Sequence, residues 1–263
     1  MIACRTVRKG EAAAERIRAE VPGADVAVRE LDLADLASVA AFAERAASEH
    51  ARLDLLVDNA GLMAVDPSTT RDGFEMQFGV NHLGHFALTA RLLPLLTGVP
   101  GSRVVTVSSM GHRASRLDLD GAADPARGEA RWQAYFGSKL ANLLFTAELQ
   151  RRLAAAGAAT IAVAAHPGGS RTDLGTEGHG VSNALMRAVV PLVTQPAAVG
   201  ALATLRAATD PAVRGGEFYG PRFGAVGHPV REVPSRRARD ADAARLWAES
   251  VALTSVEPAL PTG

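Results

Sequence analysis

The chain has 263 residues, 48% of them hydrophobic, which is enough to bury a sizeable core in one domain. Lysine plus arginine and aspartate plus glutamate both number 28, so the formal charge is zero, and this argues against nucleic acid or an anionic membrane as the main partner. A lone cysteine, Cys4, excludes an internal disulfide and fits a reduced, cytoplasmic setting, and no run of about 20 apolar residues is present to span a bilayer.

Short apolar runs alternate with longer helical patterns, the signature of βα units around a parallel sheet. Residues 2–4 read as a strand, 11–20 as a helix and 25–31 as a second strand. Residues 36–50 form a helix that Asp35 can cap, and 53–57 a strand ending at Asp58-Asn59-Ala60-Gly61. One long apolar helix is expected over 74–96, then a β-branched strand over 103–107 that stops at Ser108-Ser109. A helix over 133–156 precedes a strand at 160–164 that ends at His166-Pro167-Gly168. Residues 173–195 read as a loop with amphipathic helical content, 196–209 as a helix, 217–219 as a short last strand and 240–251 as a helix. The whole reads as one Rossmann-type α/β domain over 1–263, with a doubly wound parallel sheet. In such sheets ligands bind beyond the carboxyl ends of the strands, so the polar residues there are the ones to weigh.

Tyr135 and Lys139 lie at i and i+4 on one face of a predicted helix. A phenol has an ordinary pKa of about 10, and a neighbouring ammonium is expected to lower it into a range useful for proton transfer. Alone, the pair is also what a solvated helix surface looks like. Ser109, at the end of the strand over 103–107, adds a hydroxyl able to hydrogen-bond a carbonyl oxygen, with Ser108 as the competing candidate and a turn or cap as the plain alternative. His82 and His85 are spaced i, i+3 on an apolar helix, but no third ligand accompanies them, so no metal site is expected.

Five ordered motifs then coincide: Asp58-Asn59-Ala60-Gly61, Asn81, Ser109, Tyr135-Phe136-Gly137-Ser138-Lys139, and Pro167-Gly168 with Thr172. In this order and spacing the chain resembles the short-chain dehydrogenase/reductase family over nearly its whole length. The wording Asn81-His82-Leu83-Gly84-His85-Phe86 and Ser138-Lys139-Leu140-Ala141-Asn142 is closest to the retinol-dehydrogenase-like branch. The resemblance implies a nicotinamide-dependent oxidoreductase that interconverts a carbonyl and an alcohol. Tyr135 would be the general acid or base, Lys139 would bind the nicotinamide ribose and tune Tyr135, and Ser109 would orient the substrate oxygen. Asn81 would hold a water that links Lys139 to solvent. Asn59, Ala60 and Gly61 would line the cofactor, Pro167, Gly168 and Thr172 would contact its nicotinamide end, and Asp32 and Leu33 would sit against the adenine. Asp58 departs from the Asn usual in the family and puts one backbone hydrogen bond in question.

Arg5 follows the first strand, where an NAD enzyme of this kind has an acidic residue for the ribose. A guanidinium there suits a 2′-phosphate, and Arg8 and Lys9 add charge, so NADP is favoured over NAD; a solvated basic turn is the plain alternative. Leu185, Met186, Val189, Val190, Leu192 and Val193 read as an apolar lid over a lipophilic aldehyde, ketone or alcohol, or equally as packing. A homo-oligomer is left open. The family's opening strand, glycine-rich phosphate turn and helix are not found, and the sequence starts at the second strand. The expectation is therefore an N-terminally truncated fold. A true start further upstream is favoured over a real truncation, and a non-catalytic member that does not bind the dinucleotide productively is the alternative function.

Overall fold

The computed structural model describes the chain except residues 116, 171–194, 236, 237, 239, 262 and 263. The lid reading and Thr172 lie outside the described residues, as does nearly all of the 173–195 segment.

The strands form two sheets. In the smaller, β1 (Ile2–Cys4) pairs in parallel with β2 (Val28–Glu30), and α1 (Val7–Glu20) makes the crossover. The larger sheet has the order β3 (Leu55–Asp58), β4 (Arg103–Val107), β5 (Ile161–Ala165), β6 (Phe218–Pro221), β7 (Pro229–Glu232). Its first four strands are parallel and β7 is antiparallel to β6. Every residue of β4 is buried, which explains its β-branched run from Val104 to Val107: helices cover both faces. Among the described residues β1 pairs only with β2, and β3 only with β4. Leu55 and Val57 of β3 are accordingly 42% and 40% exposed.

The helices that carry the site follow from capping and packing. Asp35 opens α2 (Leu36–Glu49) by accepting the backbone N–H groups of Ala37 and Ser38. The expected single helix over 74–96 is instead a short α3 (Met76–Phe78), a π-helical turn (Gly79–Leu83) and α4 (Gly84–Leu96). Such a turn inserts an extra residue into the ladder and is frequent at functional sites, and Asn81 sits in it. Glycine flanks the turn because neighbours press close. A Cβ at Gly79 would lie 2.3 Å from Thr70 Cγ2, and one at Gly84 would lie 2.5 Å from the Leu33 carbonyl oxygen.

The long central helix α5 (Arg131–Ala155) is buried on most sides, between the sheet and α7 (Asp240–Thr254), while α6 (Ala197–Thr209) packs against β4, β5 and β6. Phe86, Phe145 and Trp247 join α4, α5 and α7, and the Arg152 guanidinium lies 4.5 Å from the Trp247 ring centre. One further expectation needs correction. The last strand is not 217–219: β6 spans Phe218–Pro221, and β7 follows it as an antiparallel edge. The proline at the start of β7 disguises a strand, yet an edge tolerates a residue with no N–H to donate.

Candidate active site

Four of the predicted residues converge where β4 ends against α5. β4 delivers Ser108 and Ser109, and the first turns of α5 present Tyr135 and Lys139 across from them. The Ser108 hydroxyl is an anchor: its Oγ donates to the Lys139 carbonyl at 2.7 Å and clamps the helix to the strand end. Ser109 Oγ accepts the Gly111 N–H at 3.1 Å and faces the Tyr135 phenol. Lys139 Nζ donates to the Val107 carbonyl at 3.1 Å, an acceptor it shares with Asn142 Nδ2.

Asn81 comes from the π turn. Its Oδ1 accepts the Leu62 N–H at 2.7 Å, and its Nδ2 donates to the Leu62 carbonyl and to Ser138 Oγ, both at 2.9 Å. Ser138 passes the link on by donating to the Tyr135 carbonyl at 2.8 Å. The side chain expected to hold a water is thus tied to protein partners on both ends, fixing the loop after β3 against α5. That loop comes close: a Cβ at Gly61 would sit 3.1 Å from Asn81 Oδ1 and 3.2 Å from Lys139 Nζ.

Electrostatics depart from expectation at one point. Burial pushes the Tyr135 phenol above its ordinary value, and the facing Ser109 hydroxyl only partly opposes this. The expected lowering by Lys139 is not met, because the ammonium is directed at the Val107 carbonyl and is itself weakened by burial, to about 8. The phenol therefore holds its proton near neutrality. An oxygen placed against Tyr135 and Ser109 would meet a proton donor and a second hydroxyl in a site shielded from water.

The other predicted residues are spread around this centre. Gly168, at the turn after β5, has φ +67, and a Cβ there would lie 2.4 Å from the Ala225 carbonyl oxygen, so the turn needs glycine and Pro167 leads into it. Asn59 and Ala60 are exposed beyond β3. Arg5 is exposed in the bend between β1 and α1, beside the equally exposed Arg8 and Lys9. Asp32 Oδ1 accepts the Ala34 N–H at 2.9 Å, which shapes its own turn. The Leu33 side chain is in the core with Phe42 and Leu88, so it offers a ligand only its backbone. His82 Nε2 lies 2.7 Å from Ser250 Oγ, and burial holds the His82 and His85 pKa values down to about 3 and about 4, as for neutral packing groups.

Asp58 ends β3 fully buried. Thr89 donates to its Oδ2 at 2.9 Å, Oδ1 has no partner among the described residues, and burial lifts the carboxyl to about 7. Ser138, Asn142 and His112 also belong to the site and were not read from the sequence. Ser138 and Asn142 at least lay on the Tyr135–Lys139 face at i+3 and i+7, a helical spacing that could have flagged them.

A model of the short chain dehydrogenase family matches residues 1–179, and the chain is 41% identical over 265 residues to retinol dehydrogenase 13 of Homo sapiens, covering 98% of this chain and 77% of that protein. The chain belongs to the short-chain dehydrogenase family. Within it, this dehydrogenase falls in the retinol-dehydrogenase-like branch: it is also 47% identical over 173 residues to retinol dehydrogenase 12 of Homo sapiens, across 66% of this chain and 54% of the relative. The chain thus spans about three quarters of the first relative and about half of the second. A solved structure from Mycobacterium Paratuberculosis superposes with a TM-score of 0.80 at 47% identity, covering 98% of this dehydrogenase and 84% of that chain. This dehydrogenase accordingly has the family's Rossmann-like fold and is an oxidoreductase of the short-chain type.

Proposed function

We propose that this dehydrogenase reduces a lipophilic aldehyde or ketone, or oxidises the matching alcohol, with NADP(H) and with Tyr135 as the general acid or base. The observation that carries this is the buried Tyr135 phenol facing the Ser109 hydroxyl, with Lys139 one turn away on the same helix. In reduction, Tyr135 donates its proton to the substrate oxygen while Ser109 holds that oxygen in place. Burial keeps Tyr135 protonated, which suits the acid role, and Lys139 stands ready to stabilise the phenolate left behind. The nicotinamide, when bound, supplies or accepts the hydride. The residues at that end fit it: Gly61 keeps the surface over Asn81 and Lys139 free of a side chain, and Pro167 and Gly168 form a tight turn beyond β5. Arg5, exposed with Arg8 and Lys9 after β1, favours NADP over NAD by offering charge to a 2′-phosphate. The retinol dehydrogenases among its relatives carry the name of a lipophilic alcohol, which supports an apolar substrate class.

The pyrophosphate end fits less well. β1 enters α1 through Arg5 and Thr6, without a glycine and without a side-chain cap. The edges of β1 and β3, unpaired among the described residues, support a second reading: productive dinucleotide binding needs a further strand and glycine-bearing turn seated between them, and the 263 residues alone bind NADP(H) poorly. The test is to express the 263-residue chain beside a form extended upstream by such a strand, turn and helix. Melting temperature is followed with and without NADPH, and reduction of a long-chain aldehyde is assayed with Tyr135→Phe as control. The extended form should be stabilised by NADPH and lose about 10²–10⁴-fold in turnover on Tyr135→Phe. A Tyr135→Phe enzyme keeping more than about a tenth of turnover would overturn the role of Tyr135. Equal NADPH stabilisation and turnover in both forms would overturn the second reading.

A further inference from the structure

His112 is fully buried in the 3-10 turn that follows Ser109, and the mechanism above gives it no part. Its Nδ1 lies 2.6 Å from the Ser109 carbonyl oxygen, and its Nε2 lies 3.3 Å from the backbone nitrogen of Ser235, which follows β7. A backbone N–H can only donate, so Nε2 must present its lone pair. A neutral imidazole has a single proton, which then resides on Nδ1 and is donated to Ser109. Burial lowers the His112 pKa, so the ring is neutral, as this pattern requires. The ring stands edge-on to Phe218 of β6, with centroids 5.5 Å apart, and Phe218 backs onto His166, which hydrogen-bonds Glu232 of β7. A ring held at both nitrogens and on one face can hold what it bonds to. Ser109 is that partner: its backbone is extended, its carbonyl also accepts the His112 N–H at 3.1 Å, and its Oγ is left facing Gly111 and Tyr135.

We propose that His112 is a positioning residue for the reaction: its Nδ1–H fixes the Ser109 backbone, and so aims the Ser109 hydroxyl, from an anchor in the segment after β7. This rests on the reading of Ser109 as the residue that orients the substrate oxygen. The consequence is that the hydroxyl is steered by an element far away in sequence, and that a donor at the Nδ1 position matters more than the ring.

Three substitutions separate donor from bulk. In His112→Asn the amide nitrogen stands two bonds from Cβ, as Nδ1 does. His112→Gln moves that nitrogen one bond outward, and His112→Phe keeps the ring and its contact with Phe218 but has no donor. In the form of the enzyme that turns over, His112→Asn should keep kcat within about threefold of the parent. His112→Gln and His112→Phe should lose about tenfold to a hundredfold in kcat with KM for the nucleotide unchanged, the effect of a reacting group displaced by a fraction of an ångström to one ångström. Independently of turnover, ¹⁵N-histidine NMR of the 263-residue chain should show a proton on Nδ1 of His112, assigned by its loss in His112→Asn. An Nε2–H tautomer, or full kcat in His112→Phe, would overturn the proposal. Ser109→Ala is the control: if it turns over like the parent, the Ser109 reading fails and takes the positioning role with it, while the tautomer still reports on the geometry. If Ser109→Ala is inactive and His112→Phe is not, the Ser109 reading stands and only this proposal falls.

Discussion

At pH 8 the Asp58→Asn variant should be more stable than its parent, and the difference should vanish or reverse near pH 4. The carboxyl is raised from 3.8 to about 7 by burial. A group raised in the folded state keeps its proton longer there than in the unfolded chain, so its contribution is fully favourable only below 3.8 and is lost as pH rises to about 7. Three units at about 1.4 kcal/mol each place the cost of ionised Asp58 at about 4 kcal/mol above pH 7. Asparagine carries no charge at any pH, and its Oδ1 can still accept from Thr89. Its amide nitrogen takes the place of the unpartnered Oδ1 and costs about 1–3 kcal/mol if left unpaired. The net gain at pH 8 is then about 1–3 kcal/mol, a shift of a few degrees in melting temperature. Melts of parent and variant at pH 4, 6 and 8 isolate Asp58, because every other titrating group is common to both. Parallel curves across that range would refute the reasoning, since a pH-independent difference is what a purely steric change gives.

Arg5→Asp should weaken NADPH binding by about tenfold to a hundredfold and spare NADH, the size of a lost charge-assisted contact; titration by nicotinamide fluorescence checks it, and equal losses would remove Arg5 from 2′-phosphate recognition. Trp247→Ala should lower stability by about 3–5 kcal/mol in a urea melt, because it empties the centre of the Phe86–Phe145 cluster and bares Arg152. Gly168→Ala should destabilise the turn after β5 by more than about 1 kcal/mol, as the left-handed backbone and the Ala225 carbonyl both oppose a Cβ; an unchanged melting temperature would show that the turn relaxes freely.

The larger sheet was legible because its inner strands are short apolar runs ended by polar turns, as at Val107-Ser108-Ser109 and Ala165-His166-Pro167. The candidate group of Ser109, Tyr135 and Lys139 was legible because these residue types in this order carry the family resemblance. What escaped depends on partners distant in the chain. β7 has the composition of a loop and becomes a strand only because β6 has an open edge. The π turn is one extra residue in an otherwise ordinary apolar helix pattern, and only the contact of Asn81 with Leu62 gives it purpose. The direction of the Tyr135 shift was misjudged because the spacing to Lys139 can be read from the chain, whereas the depth of burial that outweighs it cannot. His112 needs Ser235 to define its tautomer, and no local pattern links the two.

The separation of β1 and β2 from the larger sheet also divides the molecule in time. β1 is hydrogen-bonded to β2 alone among the described residues, and α1 packs chiefly on these two strands. This layer is fastened to the rest by the turn after β2, where Leu31 and Leu33 enter the core shared by α2 and α4 with Leu33 lying directly under Gly84, and by the half-exposed ion pair of Arg29 with Glu49 of α2. Such a layer can detach as a cooperative unit while the five-stranded sheet stays intact, so its amides report a smaller opening free energy than those of β4 or α5. Arg5 and Asp32 lie in or beside this layer, and Tyr135 and Lys139 in the other. A ligand bridging both would stitch a loosely held unit to a firmly held one, and the gain in protection would register mainly in the β1–β2 layer.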